Sequence, residues 1–249
     1  MMRILLLGGT TEASQMATCF AANDMDVVFS YAGRTTAPIA QPLPTRIGGF
    51  GGVDGLATYL KSQKITHVVD ATHPFAAGMS RNAHAACTNA AVPLIRLERP
   101  AWQVGIGDNW TLLPDIEAIP RALPDAPSRI FLAIGKQQIG LFATQPQHHY
   151  LLRLVDQPAA ALPLTDTKVV VARGPFDVAG DAALMRDHQI THVVAKNSGG
   201  QGAQAKLEAA RMLGLPVLMA QRPVLPGDSI ASTADEVMGW LGHEADRGV

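Results

Sequence analysis

Short runs of branched aliphatic residues alternate with alanine-rich amphipathic stretches along the whole chain. The segment Ile4–Leu7 is a continuous aliphatic run, which is typical of a strand buried on both faces of a parallel sheet. The stretch that follows it places Ala13, Met16, Ala17 and Phe20 at helical spacing. This alternation predicts an α/β fold with parallel sheets. The predicted strands cover residues 4–7, 27–30, 67–71, 94–97, 130–134, 151–154, 169–172, 192–195 and 217–219.

The two halves of the chain resemble each other. The segment KITHVVDATHP at 64–74 returns as QITHVVAKNSG at 189–199, and Ile65 and Ile190 are 125 residues apart. RILLLGGT at residue 3 likewise matches RIFLAIGK at residue 129, an offset of 126, and RIGGF at 46 loosely matches RGPF at 173. We therefore predict two Rossmann-like parallel-sheet domains, residues 1–124 and 125–249, related by an internal repeat and facing across a cleft. The proline-rich stretch at 119–129 is the expected boundary.

A glycine turn follows the first predicted strand. Gly8 and Gly9 permit a tight bend and a close approach of a ligand to the backbone, and Thr10 or Thr11 can cap the following helix. A helix N-terminus at this place favours an anion such as phosphate, so we expect Gly8, Gly9, Thr10, Thr11 and Glu12 to contact a cofactor. GGTTE lacks the full G-x-G-x-x-G fingerprint, and a strand–helix turn that binds nothing is the alternative.

The end of the second predicted strand indicates which dinucleotide would bind. NAD enzymes place Asp or Glu about 20 residues after the glycines, near the adenosine ribose. Ser30 stands there instead, followed by Arg34 and Thr35, and hydroxyl and guanidinium groups suit a 2′-phosphate. The sequence therefore predicts that these three residues bind NADPH. The alternative is that Arg34 is a solvated loop charge.

Further polar and cationic residues follow the other predicted strands. His73 in ATHPF leaves a buried strand with its direction set by Pro74, so it is a candidate proton donor, although it could equally cap a helix or hydrogen-bond a substrate. The candidates of the second half are Lys136, Arg173, Lys196, Asn197 and Ser198. KNSGGQG forms a glycine-rich turn whose amides invite an anion, the alternative being an ordinary turn with a solvated lysine.

The motifs GGTTEA, SYAGR, DATHPFA, RLERPAW, RGPFD and KNSGGQG, in this order over nearly the full length, resemble the precorrin-6A reductase family. The resemblance implies two Rossmann-like domains and NADPH-dependent reduction of one double bond of the precorrin-6A macrocycle, giving precorrin-6B in cobalamin biosynthesis. The resemblance leaves open whether the macrocycle carries cobalt and whether the product is handed over to neighbouring pathway enzymes.

A carboxylate-rich tetrapyrrole would need local cations and a proton donor. We expect His73, Lys136 and Lys196 to act in catalysis, and Thr72, Arg173, Asn197 and Ser198 to bind the substrate. Two other functions fit two Rossmann-like halves: a nucleotide-sugar transferase, which would show no NADPH preference, and a regulator that binds NADPH without oxidising it.

Composition excludes several other classes. Lys and Arg number 20 against 21 Asp and Glu, so no global positive field attracts nucleic acid. No apolar run is long enough to span a bilayer and no secretory leader is recognisable, which predicts a cytoplasmic protein. Cys19 and Cys87 lie in alanine-rich helical stretches without metal-ligand spacing, so we expect buried structural thiols and no metal site.

Overall fold

The computed structural model describes residues 2–33 and 38–247. Twelve strands are formed by these residues: β1 (Ile4–Leu7), β2 (Val27–Tyr31), β3 (Thr45–Ile47), β4 (His67–Asp70), β5 (Leu94–Leu97), β6 (Trp110–Leu113), β7 (Arg129–Ala133), β8 (His149–Leu154), β9 (Thr167–Val171), β10 (His192–Lys196), β11 (Val217–Ala220) and β12 (Ile230–Ala231). The α-helices are α1 (Thr11–Ala22), α2 (Gly52–Ser62), α3 (Ala77–Ala90), α4 (Ile119–Ala122), α5 (Val178–Asp187), α6 (Ala205–Met212) and α7 (Ala234–Arg247). Two 3-10 helices cover Lys136–Thr144 and Gln201–Ala203.

The chain forms two compact units, each built on a six-stranded parallel sheet. Unit 1 comprises residues 1–100 and 223–249 and has the strand order β12-β5-β4-β1-β2-β3. Unit 2 comprises residues 101–222 and has the order β6-β11-β10-β7-β8-β9. Both orders are that of dinucleotide-binding Rossmann folds, in which the strand order reverses beside the first strand. The predicted fold class, two Rossmann-like parallel-sheet domains, is confirmed.

Strand β1 explains why the first apolar run is continuous. Ile4 and Leu6 belong to a buried cluster with residues of α1 and α7, whereas Leu5 and Leu7 belong to another cluster with residues of α2 and α3. Successive side chains of a strand point to opposite faces, and helices cover both faces of this sheet. All four residues are consequently buried, with no polar position between them.

The register of the sheets confirms the internal repeat. Ile4 pairs with His67 in unit 1, and Ile130 pairs with His192 in unit 2, as the sequence offsets predict. On the other side of the first strand, Ile4 pairs with Val27 and Ile130 with Tyr150. Strands β1, β2 and β4 therefore correspond to β7, β8 and β10.

The domain boundary differs from the predicted one at residues 124 and 125. The chain passes from unit 1 to unit 2 after Pro100 and returns after Arg222. Both passages lie in the repeated ERP and QRP motifs, not in the proline-rich stretch, because β6 and α4 already belong to unit 2.

The chain passes from one unit to the other at the ERP and QRP motifs, and the sixth strand of each unit comes from the sequence after one of these motifs. Strand β6 follows β5 in sequence but pairs with β11 in unit 2. Strand β12 follows β11 in sequence but pairs with β5 in unit 1, and α7 then packs against α1. The two halves have thus exchanged equivalent edge strands, which explains why the prediction of two contiguous domains was wrong at its boundary.

Three strands were absent from the predicted set: β3, β6 and β12. All three lie at sheet edges, and each exposes apolar or polar side chains on at least one face, as Ile47, Leu112 and Ile230 do. Short edge strands need no continuous apolar run, so the pattern that identifies central strands does not apply to them.

Candidate functional site

The glycine turn of unit 1 lies where the strand order reverses, between β1 and β4. The Thr10 hydroxyl accepts a hydrogen bond from Ala13 N (3.1 Å) and donates one to Ala71 O (2.8 Å). One side chain therefore caps α1 and fastens the β1 turn to the loop after β4. The Gly8 amide donates to Ser30 O (3.0 Å), which ties the turn to β2 as well. The ends of β1, β2 and β4 are brought together as predicted.

The two glycines of this turn are required for different reasons. A Cβ atom on Gly8 would lie 2.1 Å from Phe29 Cζ, so Gly8 allows close packing against β2. Gly9 has φ +122°, a backbone conformation that residues other than glycine rarely adopt. A Cβ atom on Gly9 would have no heavy atom within 4 Å, so the space beside it is open. The open space in front of Gly9 and the amides that begin α1 are features suited to an anionic group such as a phosphate.

Glu12 and Thr11 are the other predicted cofactor residues of this turn. Glu12 lies in the first turn of α1 and forms an ion pair with Arg99, which follows β5 (2.6 Å). A free carboxylate here would repel a phosphate, and the guanidinium offsets that charge. Glu12 therefore has a structural partner within unit 1, whereas Thr11 is exposed at the first position of the helix.

The end of β2 is polar, as predicted, and a cation that was not among the predicted site residues contacts it. Ser30 is buried, and its hydroxyl accepts a hydrogen bond from Arg46 Nη1 (2.8 Å). Arg34 and Thr35, predicted to bind the cofactor, lie outside the described residues. Arg46 was not among the predicted site residues, although the match between RIGGF and RGPF singled out its segment.

The loop after β4 presents His73. Asp70, 1% exposed, accepts hydrogen bonds from Thr72 N (3.1 Å) and Thr72 Oγ1 (2.7 Å), which fixes the start of the loop. The His73 ring is exposed, and its Nδ1 accepts from Phe75 N (3.2 Å). A ring that accepts at Nδ1 carries its proton on Nε2, so in this tautomer Nε2 can donate a hydrogen bond. Thr72 is held by Asp70 and is in position to orient the loop that carries His73.

The predicted lysines of unit 2 lie after β7 and at the end of β10, the strands that correspond to β1 and β4. Lys136 is exposed at the start of the 3-10 helix that follows β7. Lys196 ends β10, and its Nζ donates to Gln138 Oε1 (2.6 Å) on the same 3-10 helix. Burial lowers the pKa of the Lys196 ammonium, and the Glu117 carboxylate opposes part of that shift. The structure therefore brings the loops of both lysines together within unit 2.

Asn197 and Ser198, which are predicted to bind substrate, have hydrogen-bond partners within unit 2. The Asn197 side chain accepts from Trp102 N (2.8 Å) and donates to Trp102 O (3.0 Å). Arg222 donates to Asn197 O (2.8 Å) and Ser198 O (3.1 Å), and Ser198 is buried. Both residues connect the loop after β10 to neighbouring backbone. Because Lys196 directly precedes them at the end of β10, these hydrogen bonds also help to fix the position of its backbone.

Arg173 is not brought close to the lysines within the sheet. It follows β9, which is three strands away from β10 in unit 2. Neighbouring strands lie about 4.8 Å apart, so the two strand ends are separated by roughly 14 Å. Arg173 is exposed at that edge.

Further properties of the described residues concern metal ions, membranes and thiols. Within residues 2–33 and 38–247, no group of three or more His, Cys, Asp or Glu side chains is placed to hold a metal ion. The helices of the same ranges include none long and apolar enough to cross a membrane. Cys87 is buried, and burial together with the Asp70 charge raises the pKa of its thiol to about 12, which is typical of an inert structural thiol. Cys19 is partly buried in α1.

Comparisons with known proteins agree over nearly the whole length. A family model described as precorrin-6x reductase CbiJ/CobK matches residues 3–242. A precorrin-6A reductase of Rhodobacter capsulatus is 59% identical over 100% of this chain and 98% of its own. A precorrin-6A reductase of Sinorhizobium sp. is 45% identical, covering 97% and 93%. A cobalt-precorrin-6A reductase of Priestia megaterium is 30% identical, covering 96% and 97%. The solved structure of a CobK precorrin-6A reductase matches with a TM-score of 0.94 at 59% identity, covering 98% of this chain and 97% of that one.

Proposed function

Because the chain belongs to the precorrin-6x reductase family, we propose that it uses NADPH to reduce one double bond of precorrin-6A, giving precorrin-6B. The family match confirms the resemblance found in the motifs and favours a reductase over a transferase or a regulator. The observation that carries the choice of cofactor is the site in unit 1: a glycine turn at the reversal of strand order, next to a β2 end that bears a hydroxyl and a cation and no acid.

Within this proposal the residues of unit 1 hold the cofactor. The open backbone at Gly9 and the amides that begin α1 receive the pyrophosphate, and Ser30 lies where the adenosine ribose is expected. Arg34 and Thr35 are proposed to contact the same ribose. When bound, NADPH supplies the hydride, and a neighbouring acid must supply the proton.

The remaining residues are proposed to handle the proton and the substrate. His73 in its imidazolium form donates the proton, and its loop is held by Asp70 and Thr72. Lys136, Lys196 and Arg173 bind substrate carboxylates, and Asn197 and Ser198 hold the Lys196 loop in place. The cobalt-free macrocycle is the proposed substrate because relatives with 59% and 45% identity are precorrin-6A reductases, whereas the cobalt-precorrin relative is 30% identical.

The direct test is an anaerobic assay of NADPH absorbance with precorrin-6A. We expect NADPH to be consumed in equal amount to the macrocycle, with a lower kcat/KM for NADH and for cobalt-precorrin-6A. Faster turnover of the cobalt-bound macrocycle would correct the substrate. NADPH binding without consumption in the presence of either macrocycle would favour the regulator instead.

A second prediction concerns the charge of Lys196. Burial lowers its pKa below the ordinary value of 10.5, so its positive charge disappears at a lower pH than that of a solvated lysine. If Lys196 binds a carboxylate, the KM for precorrin-6A rises as pH increases through this pKa. The variant Lys196→Met should raise KM about tenfold or more at neutral pH and should lack this alkaline rise. Lys136→Met replaces an exposed lysine, so it should raise KM but retain the further rise of KM at alkaline pH.

The control for both lysine variants is the Kd for NADPH, which should stay nearly unchanged. A large loss of NADPH affinity in either variant would assign these loops to the cofactor phosphates and would contradict the proposed division between the two units.

A further inference from the structure

Arg46 occupies the edge of unit 1 where β2 and β3 end. Its position in β3 pairs with Ser30 of β2, and its guanidinium crosses to the Ser30 hydroxyl (2.8 Å). The same guanidinium donates to Gly48 O (2.9 Å) and Gly49 O (3.2 Å). Three acceptors therefore fix the orientation of a cation at the carboxyl end of the strand that lies next to β1.

An aromatic surface supports this cation. The guanidinium carbon lies 3.8 Å from the Phe50 ring centroid and 5.2 Å from that of Tyr59. Arg46 remains partly exposed, and the ion pairs formed by the described residues do not include it. An oriented guanidinium without a carboxylate partner is suited to a phosphate ligand, because its planar fork matches phosphate oxygens.

Unit 2 has a comparable cation at the neighbouring strand position, where a carboxylate neutralises it. Arg153 follows Leu152 in β8 and occupies the position that Ser30 has in β2. Its guanidinium carbon lies 3.6 Å from the centroid of Phe176, the counterpart of Phe50, and it forms an ion pair with the buried Asp181 of α5. Unit 2 thus has the same arginine-on-phenylalanine arrangement, but a carboxylate already satisfies the cation.

Unit 1 cannot place a carboxylate at the corresponding position. Gly55 is the fourth residue of α2, as Asp181 is the fourth residue of α5. A Cβ atom on Gly55 would lie 1.8 Å from Phe50 O, so a side chain there would collide with the backbone. The close packing of α2 against the Phe50 segment therefore keeps an acid away from Arg46.

We propose that Arg46 and Ser30 form the subsite for the adenosine 2′-phosphate, a specificity-determining pair that rests on the proposed use of NADPH. The carboxyl end of the second Rossmann strand is where NAD enzymes place an acid against the ribose 2′-hydroxyl and where NADP enzymes place an arginine. The Ser30 hydroxyl, which accepts from Arg46, still has its own proton to donate to a phosphate oxygen. Unit 2 lacks this subsite because the Arg153 guanidinium is already paired with the Asp181 carboxylate.

The test is calorimetric titration of the full-length protein with 2′,5′-ADP, which carries the 2′-phosphate, and with 5′-AMP, which does not. Arg46→Met should weaken 2′,5′-ADP binding by about 10- to 100-fold and change 5′-AMP binding less than threefold. Arg46→Lys keeps the charge but loses the planar fork, so it should give an intermediate loss of 2′,5′-ADP affinity. This conservative variant also keeps the test valid if Arg46→Met fails to fold. Lys61→Met removes an exposed charge from α2 of the same unit and should affect neither nucleotide.

Each other outcome overturns a distinct statement. Equal loss of both nucleotides in Arg46→Met and Arg46→Lys would show that Arg46 only supports the sheet edge. Unchanged 2′,5′-ADP binding would place the 2′-phosphate elsewhere while leaving the use of NADPH intact. If the wild type binds 5′-AMP and 2′,5′-ADP equally well, the proposed preference for NADPH fails together with the subsite.

Discussion

Gly9→Val is expected to raise the Kd for NADPH by about a hundredfold or more. Gly9 has φ +122°, which a β-branched residue adopts only with strain of about 1–3 kcal/mol. The added side chain would also project into the open space where the pyrophosphate is proposed to approach the backbone. Fluorescence titration with NADPH measures the loss, and a thermal melt shows whether the strain also lowers stability.

The internal repeat supplies a matched control for this variant. Gly135 follows β7 as Gly9 follows β1, but it has φ −78°, and a Cβ there also meets no atom within 4 Å. Gly135→Val should therefore leave the Kd for NADPH nearly unchanged. A comparable loss in both variants would contradict the assignment of the cofactor to unit 1, and unchanged binding in Gly9→Val would remove the pyrophosphate from this turn.

His73→Ala is expected to lower kcat by about a hundredfold or more while leaving the Kd for NADPH unchanged. General acid catalysis contributes about 10²- to 10⁴-fold to a rate. The His73 ring is exposed on the loop after β4, and its imidazolium form is the acid that would give up the proton. Steady-state kinetics with precorrin-6A, together with NADPH titration, separate this effect from lost cofactor binding.

Two variants distinguish proton transfer from positioning. His73→Gln keeps a hydrogen-bond donor but cannot act as an acid, so its kcat should be as low as that of His73→Ala. His243→Ala replaces an exposed histidine of α7 and should leave kcat unchanged. If His73→Gln restores most of the activity, His73 orients the substrate and the proton has another source.

The sequence pattern could predict the central strands because they are buried on both faces. Ile4–Leu7 has no polar position, and the matching segments around His67 and His192 are enough to reveal the repeat. The edge strands could not be found in this way because residues such as Ile47 (60% exposed) and Ile230 (52% exposed) lack a continuous buried environment. The boundary failed for a related reason: the pairing of β12 with β5 is a long-range contact that leaves no local signal.

The candidate site was predictable where backbone geometry decides it. The glycine turn, the Thr10 cap and the loop bearing His73 follow from residue types at strand ends. Arg46 was missed because its contacts with Phe50 and Ser30 depend on strand pairing and not on spacing in the sequence. The bond of Asn197 to Trp102, 95 residues away in sequence, was equally inaccessible.

The exchanged edge strands have a consequence for folding during synthesis. All residues of unit 2 have left the ribosome when residue 222 emerges, because this unit is continuous in sequence. Unit 1 at that point still lacks residues 223–249. Until those residues arrive, β5 is an unpaired edge and the apolar surface that later buries Val237 and Leu241 faces water. Unit 1, although it contains residues that precede unit 2 in sequence, is therefore the last to be finished, and its unpaired edge can associate with other chains in that interval.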